Sequence, residues 1–180
     1  MTAGLIIVIG LFVFVIFTIA KGVRLVPQGN KWVVQRLGKY SSTLPPGLNI
    51  LIPFVDNVAY KITTKDIVLD IPSQEVITKD NAVLVTNAVA YINIVSPEKA
   101  VYGVESYIIA IQTLVQTSLR SILGEMTLDD ALSSREHIKA KLKASISDDI
   151  ADWGIILKTV EIQAAAERQR RATVTRADGD

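Results

Sequence analysis

Few side chains of this 180-residue chain are suited to chemistry. The chain has no cysteine and a single histidine, His137. These counts exclude disulfides, thiolate metal sites, a cysteine nucleophile, an acylated cysteine and a multi-histidine zinc site. His137 is the one histidine available to a Ser-His-Asp arrangement. It stands beside Ile138, which belongs to the apolar stripe of a predicted helix, so we expect the imidazole to face solvent.

Two groups of acidic residues are the remaining candidates. Asp129 and Asp130 lie in the first turn of a short predicted helix, where the helix dipole favours acids, and we interpret them as capping residues. Asp148, Asp149 and Asp152 lie late in a longer predicted helix, where the dipole disfavours acids. For this second group a divalent-cation site and an exposed or subunit-contacting face are both open.

Other patterns of catalysis and nucleotide binding are missing from the sequence. No nucleophile elbow surrounds any serine, and Gly22, Gly38 and Gly47 are isolated instead of forming a phosphate loop. Lys and Arg total 19 against 18 Asp and Glu, without a basic stripe, which argues against a nucleic-acid partner. We therefore predict that the protein is not an enzyme and has no catalytic residue, no metal site and no cofactor.

The elements of the chain begin with an uncharged run over residues 3–20. At about 1.5 Å per residue such a helix is about 27 Å long, close to the bilayer core of about 30 Å. We predict that residues 1–22 form an uncleaved transmembrane anchor. A signal peptide is disfavoured because no basic residue precedes the run, and a buried core helix because no polar face interrupts it. The predicted membrane-contacting residues are Leu5, Ile6, Ile7, Val8, Ile9, Leu11, Phe12, Val13, Phe14, Val15, Ile16, Phe17 and Ile19.

Basic residues follow this run and none precedes it. Lys21, Arg24 and Lys31 all lie on its C-terminal side. The positive-inside rule then predicts a single-pass protein with its amino terminus outward and its body on the cytoplasmic side.

The residues after the anchor, 23–163, are predicted to form one α+β domain, rich in antiparallel sheet and with two packing helices. Apolar positions advance by three or four from residue 98 to 124 and again from Ile138 to Ile150, which indicates two amphipathic helices. Ser133 and Glu136 match a capping box before the second helix. The predicted strands are 32–36, 49–52, 58–62, 67–71, 74–77, 83–95 and 155–162.

The join between Gln163 and Ala164 is unusual, because a strand pattern meets a helical pattern without a turn residue. Either the local geometry is unusual or residues are missing there. We expect the second, with the two Cα atoms much further apart than the about 3.8 Å of bonded neighbours. Residues 164–180 are predicted to be a helix that continues beyond Asp180. It is either a basic surface helix or the start of a coiled coil.

Several ordered motifs resemble the SPFH (stomatin, prohibitin, flotillin, HflK/HflC; band 7) superfamily, and in particular its paraslipin, or stomatin-like, branch. The resemblance covers residues 23–180. The motifs are VPQG (26–29), RLGKY (36–40), LPPGL (44–48), IPFVD (52–56), LDIPSQEVITKDN (69–81), QTSLRSILGEM (116–126) and DWGI (152–155).

This resemblance implies a membrane-anchored scaffold of the bacterial inner membrane. Such proteins assemble into homo-oligomeric rings or cages that enclose a membrane microdomain and its clients. Their partners are membrane lipid and NfeD-like membrane proteins or membrane AAA proteases. Two alternatives are a regulatory partner of such a protease and a membrane-tethered hydrolase, for which the residue inventory supplies no active site. Two features that the resemblance implies are missing from this sequence. The family has a proline-containing linker at the position after Gln163, and animal stomatins have a palmitoylated cysteine. We place the oligomerisation contacts at Ala165, Arg168, Ala172 and Arg176.

Overall fold

The uncharged run at the start of the chain folds as a helix. The computed structural model describes residues 2–166, apart from the side chains of residues 2, 3, 5, 6 and 166. Helix α1 (Thr2–Gly22) has no acidic residue in its first turn and Lys21 in its last, which suits the helix dipole. Within the described part of the chain, no helix meets the length and apolar character needed to cross a membrane. The transmembrane anchor therefore stays a prediction.

The chain divides into two compact units between Lys65 and Asp66. The first unit contains α1 and two antiparallel sheets, one of two strands in the order β1-β4 and one of three in the order β3-β2-β5. Its core consists of Val26, Val34, Leu44 and Leu51, with Trp32 and Val58 packed against them. The strands of this unit are β1 (Val23–Val26), β2 (Asn30–Arg36), β3 (Lys39–Leu44), β4 (Gly47–Ile50) and β5 (Asp56–Thr63).

The second unit is an antiparallel three-stranded sheet in the order β6-β7-β8, covered by helices. Helix α3 packs on β6, α5 packs on β8, and the two helices contact each other. The predicted α+β class, with antiparallel sheets and packing helices, is confirmed. The elements are β6 (Ile67–Ile77), β7 (Val83–Ile94), α2 (Pro97–Tyr102), α3 (Tyr107–Gly124), α4 (Leu128–Ser133), α5 (Arg135–Asp152) and β8 (Ile155–Ala166).

The apolar stripe of α5 is buried as its spacing predicts. Ile138, Leu142, Ile146 and Ile150 are almost fully excluded from solvent, and each lies four residues after the one before. Side chains at i and i+4 share one face of a helix, so α5 covers the sheet with a single row of aliphatic side chains. His137 is exposed, as expected.

Several local predictions are wrong. Pro72 does not end a strand, because β6 runs through a bulge between Ile71 and Gln74 that leaves the proline outside the ladder. The helix predicted over residues 98–124 is two helices, interrupted at Gly103. The predicted capping box is absent, because Ser133 belongs to α4 and its hydroxyl donates to the carbonyl oxygen of Asp129.

The chain does not change from strand to helix at Gln163. Gln163 pairs with Asn87 and Ala164 with Thr86, which are consecutive positions of one unbroken ladder that extends to Ala166. The predicted helix over 164–166 is therefore wrong, whereas the expectation that residues are missing between Gln163 and Ala164 stays a prediction. The rest of the predicted C-terminal helix lies outside the described residues.

Candidate membrane-attachment surface

The ribbon of β1 and β4 turns an entirely apolar face to solvent. Val23 pairs with Ile50 and Leu25 with Leu48 in an antiparallel register. Because side chains alternate along a strand, these four lie on one face. Leu25, Leu48 and Ile50 are each between 67% and 70% exposed. Val26, on the other face, is buried in the core of the first unit.

A glycine lets this ribbon start directly at the end of α1. The backbone N–H of Leu51 donates to the carbonyl oxygen of Gly22 at 2.8 Å, which continues the β1–β4 pairing back to the helix. A Cβ at Gly22 would collide with the carbonyl oxygen of Leu51. The close approach therefore requires glycine, and it joins the apolar ribbon to the apolar helix without a linker.

The loop after β4 presents a second apolar element. Phe54 is 89% exposed and has a φ of 67°, a backbone conformation that bulky residues rarely adopt. The loop is closed by two hydrogen bonds to the carbonyl oxygen of Ile52, from the N–H of Val55 at 3.3 Å and from that of Asp56 at 2.9 Å. An exposed phenylalanine held in a strained conformation is a candidate functional residue.

One carboxylate fixes the shape of that loop. Asp56 accepts hydrogen bonds from Arg36 Nε at 2.7 Å and from a second guanidinium nitrogen at 3.1 Å, and its Oδ2 also accepts from the N–H of Ile52 at 2.9 Å. The Asp56 side chain is only 4% exposed. The pKa of Asp56 is lowered, mainly by the hydrogen bonds from Arg36 and next by the hydrogen bond from the Ile52 N–H. The same ion pair raises the pKa of Arg36.

The hairpin between β2 and β3 brings a third apolar residue to the same place. Its two-residue loop, Leu37–Gly38, has positive φ at both positions, as a type I′ turn requires. Leu37 is 84% exposed, and its N–H donates to the carbonyl oxygen of Val55 at 3.2 Å. Leu37 and the residue next to Phe54 are therefore joined through the backbone.

Helix α1 carries the largest apolar surface of the first unit. Of the thirteen predicted anchor residues, all except Leu5 and Ile6 have described side chains, and every one of these is exposed. Lys21 at the helix end lies over the ring of Phe17, with 4.8 Å between its Nζ and the ring centre. The apolar side chains of α1, the apolar face of β1 and β4, and Leu37 and Phe54 together are the candidate surface.

The acidic candidates are not gathered into a site. Asp129 and Asp130 lie in the first turn of α4, as predicted, but the side chain that caps the helix is that of Thr127, whose Oγ1 accepts from the N–H of Asp130. Asp148, Asp149 and Asp152 are exposed on α5. Over residues 2–166, no group of three or more His, Asp and Glu side chains is placed to hold a metal ion.

Of the four predicted oligomerisation residues, one lies within the residues that the structure describes. Ala165 is in β8 and pairs with Val85, whereas Arg168, Ala172 and Arg176 lie outside the described residues. Sequence reasoning missed the ribbon face and the Phe54 loop. The available signal was the alternation of apolar residues in two four-residue segments, β1 and β4, which are too short for a period to be conclusive.

Comparison with known sequences matches residues 24–175 to the SPFH domain / Band 7 family. The chain belongs to this family. Human mitochondrial stomatin-like protein 2 is 38% identical over 172 residues, which cover 87% of this chain and 48% of that protein. An uncharacterised protein of Mycobacterium tuberculosis is 35% identical over 192 residues, covering 98% of this chain and 50% of its own length. An uncharacterised protein of Methanocaldococcus jannaschii is 39% identical over 183 residues, which cover 93% of this chain and 92% of that protein.

The resemblance to the SPFH superfamily and its stomatin-like branch is thereby confirmed, whereas a closer likeness of the motifs to the bacterial inner-membrane protein QmcA stays a prediction. This SPFH chain spans about half the length of the human and mycobacterial relatives. The linker expected after Gln163 stays a prediction.

Proposed function

We propose that this SPFH chain is a non-enzymatic scaffold that attaches to a membrane through its first unit and self-assembles there. The observation that carries the proposal is the apolar surface of α1, the β1–β4 face and the Phe54 loop. Soluble monomers rarely expose contiguous apolar patches of such extent, and those that exist mark interaction sites. Membership in a family that includes stomatin-like protein 2 agrees with a role outside catalysis.

A bilayer is the partner that this surface fits. Helix α1 has uncharged side chains from residue 3 to residue 20, and Lys21 and Arg24 follow at the level expected of lipid headgroups. Fully removing one leucine, isoleucine or phenylalanine side chain from water contributes about 1.5–3 kcal/mol. We propose single-pass insertion of α1, with the β1–β4 face and Phe54 resting in the interface of the cytoplasmic leaflet of the inner membrane.

Flotation of the full chain with phosphatidylcholine vesicles tests the attachment, followed by alkaline carbonate extraction. Insertion predicts that the chain stays with the vesicles, and that Phe12→Arg weakens this retention because a central arginine costs roughly 2.5–3.5 kcal/mol. Release of the wild-type chain by carbonate would contradict insertion, and failure to float would contradict attachment altogether.

The β1–β4 face is tested in the Phe12→Arg background, where α1 holds the membrane less strongly. Ile50→Ser should then lower vesicle binding by tenfold or more, from about 1.5 kcal/mol of lost apolar contact. Ile109→Ser is the matched control, because Ile109 is also an exposed isoleucine, 64% against 70%, but lies on α3 in the other unit. Equal losses in the two variants would contradict a specific role of the ribbon.

Self-assembly is the second part of the proposal. We propose that copies pack side by side in a closed ring or cage, with contacts that include Ala165, Arg168, Ala172 and Arg176. A repeated heterologous contact closes only at a fixed rotation, so particle images of the detergent-extracted protein should show one copy number. A monodisperse monomer would contradict assembly. A pull-down from the same extract tests the NfeD-like and AAA-protease partners that the resemblance implies.

A further inference from the structure

Two cavities lie side by side in the first unit, at the point where α1 meets β1. The larger has a volume of about 260 Å³ and is lined by residues that include Arg24, Trp32, Asp56 and Lys61. The smaller, of about 170 Å³, is lined by residues that include Lys21, Arg24, Phe54 and Asp56. Arg24, Leu51 and Asp56 belong to both walls, so the two volumes are neighbours.

The charge of this double cavity is positive. Asp56 is the acidic residue in its walls, and both of its carboxylate oxygens are already bonded to Arg36. Lys61 lies over the ring of Trp32, with 4.6 Å from its Nζ to the ring centre. The guanidinium of Arg24, in contrast, has no hydrogen-bond or ion-pair partner within residues 2–166.

The position of Arg24 between apolar neighbours selects an amphipathic ligand. Arg24 alternates with Val23 and Leu25 along β1, so its side chain leaves the ribbon on the side opposite to the apolar face. Phe54, in the wall of the smaller cavity, belongs to the same apolar surface. A ligand with an anionic head and an apolar tail matches this arrangement.

We propose that the double cavity binds the phosphate of an anionic phospholipid headgroup, with Arg24 as the principal contact and Lys21 beside it. A guanidinium forms paired hydrogen bonds with phosphate oxygens, which a lysine replaces only as a point charge. The proposal rests on the membrane attachment proposed above and adds a preference for anionic lipid. Free phosphate shares the headgroup chemistry and lacks the tail that Phe54 and α1 accommodate.

The test measures which lipid stays bound. The full chain is reconstituted with equal amounts of phosphatidylglycerol and phosphatidylcholine and extracted in mild detergent, and the retained lipids are counted by native mass spectrometry. We expect phosphatidylglycerol to be enriched, and Arg24→Gln to lower the enrichment about fivefold. Arg24→Lys should restore part of it. Arg135→Gln is the control, because it removes the same charge from an exposed position of α5.

The outcomes separate this proposal from the one that it rests on. Retained lipid in the supplied ratio, or equal losses in Arg24→Gln and Arg135→Gln, would overturn the headgroup site and leave the membrane attachment intact. Displacement of phosphatidylglycerol by inorganic phosphate at equal concentration would show that free phosphate is the ligand and would also overturn it. Retention of no lipid by the wild-type chain would overturn both.

Discussion

The carboxylate of Asp56 and the guanidinium of Arg36 are joined by two hydrogen bonds of 2.7 and 3.1 Å, and this pair orders two loops at once. Arg36 immediately precedes the hairpin loop that presents Leu37, and Asp56 ends the loop that presents Phe54. Two strained, exposed apolar residues are thereby held by an ion pair whose carboxylate is nearly buried and whose guanidinium is half exposed. The pair positions the apolar surface and is not itself part of it.

The ion pair makes the first unit sensitive to acid. The pKa of Asp56 is lowered by Arg36 and by the Ile52 N–H, so its contribution to stability is present above the unfolded pKa of about 3.9. It is lost as the pH falls through the lower pKa of the folded chain. The difference in melting temperature between the wild type and Asp56→Asn should therefore shrink from neutral pH to about pH 3. A difference that does not change with pH would contradict this role.

We expect Phe54 to strengthen membrane binding while it lowers the free energy of unfolding. The left-handed conformation costs a bulky residue about 1–2 kcal/mol, and asparagine tolerates it better. We expect Phe54→Asn to leave the free energy of unfolding unchanged or to raise it by up to about 1 kcal/mol. The same variant should bind vesicles more weakly. A loss of stability of more than about 1 kcal/mol in urea titration would mean that Phe54 packs in the folded unit.

The elements of the second unit are predicted well from the sequence because their apolar patterns repeat over many residues. The stripe of α5 repeats over four aliphatic residues, Ile138, Leu142, Ile146 and Ile150, and every second residue of β7 from Leu84 to Ile94 is buried. A single off-pattern residue does not hide such a signal. The bulge in β6 was missed because a proline normally ends a strand and only the partner strand shows that the ladder resumes.

The candidate surface was predictable only in part. The apolar run of α1 is evident from composition, whereas the ribbon face depends on the pairing of β1 with β4, which are separated by two further strands. No local pattern states that pairing. The error at Gln163 has the same origin: the three alanines that follow favour a helix by intrinsic propensity, and pairing with β7 overrides that preference.

The stripe of α5 provides a test of the second unit. Ile138 is fully buried, so Ile138→Ala should lower the free energy of unfolding by about 2–5 kcal/mol. The adjacent His137 is exposed, and His137→Ala should change it by less than about 0.5 kcal/mol. Urea denaturation of both variants measures the contrast. Similar losses at the two positions would contradict the described orientation of α5.

The residues at the amino-terminal caps of α4 and α5 should contribute differently to the free energy of unfolding. Thr127 caps α4, since its Oγ1 accepts a hydrogen bond from the N–H of Asp130 at 3.3 Å. Ser134, at the equivalent position of α5, makes no such bond. Thr127→Ala should therefore cost about 1 kcal/mol, as the loss of a helix cap usually does, whereas Ser134→Ala should be close to neutral. Thermal unfolding of the two variants measures the difference, and a larger loss for Ser134→Ala would contradict the described absence of a side-chain cap at Ser134.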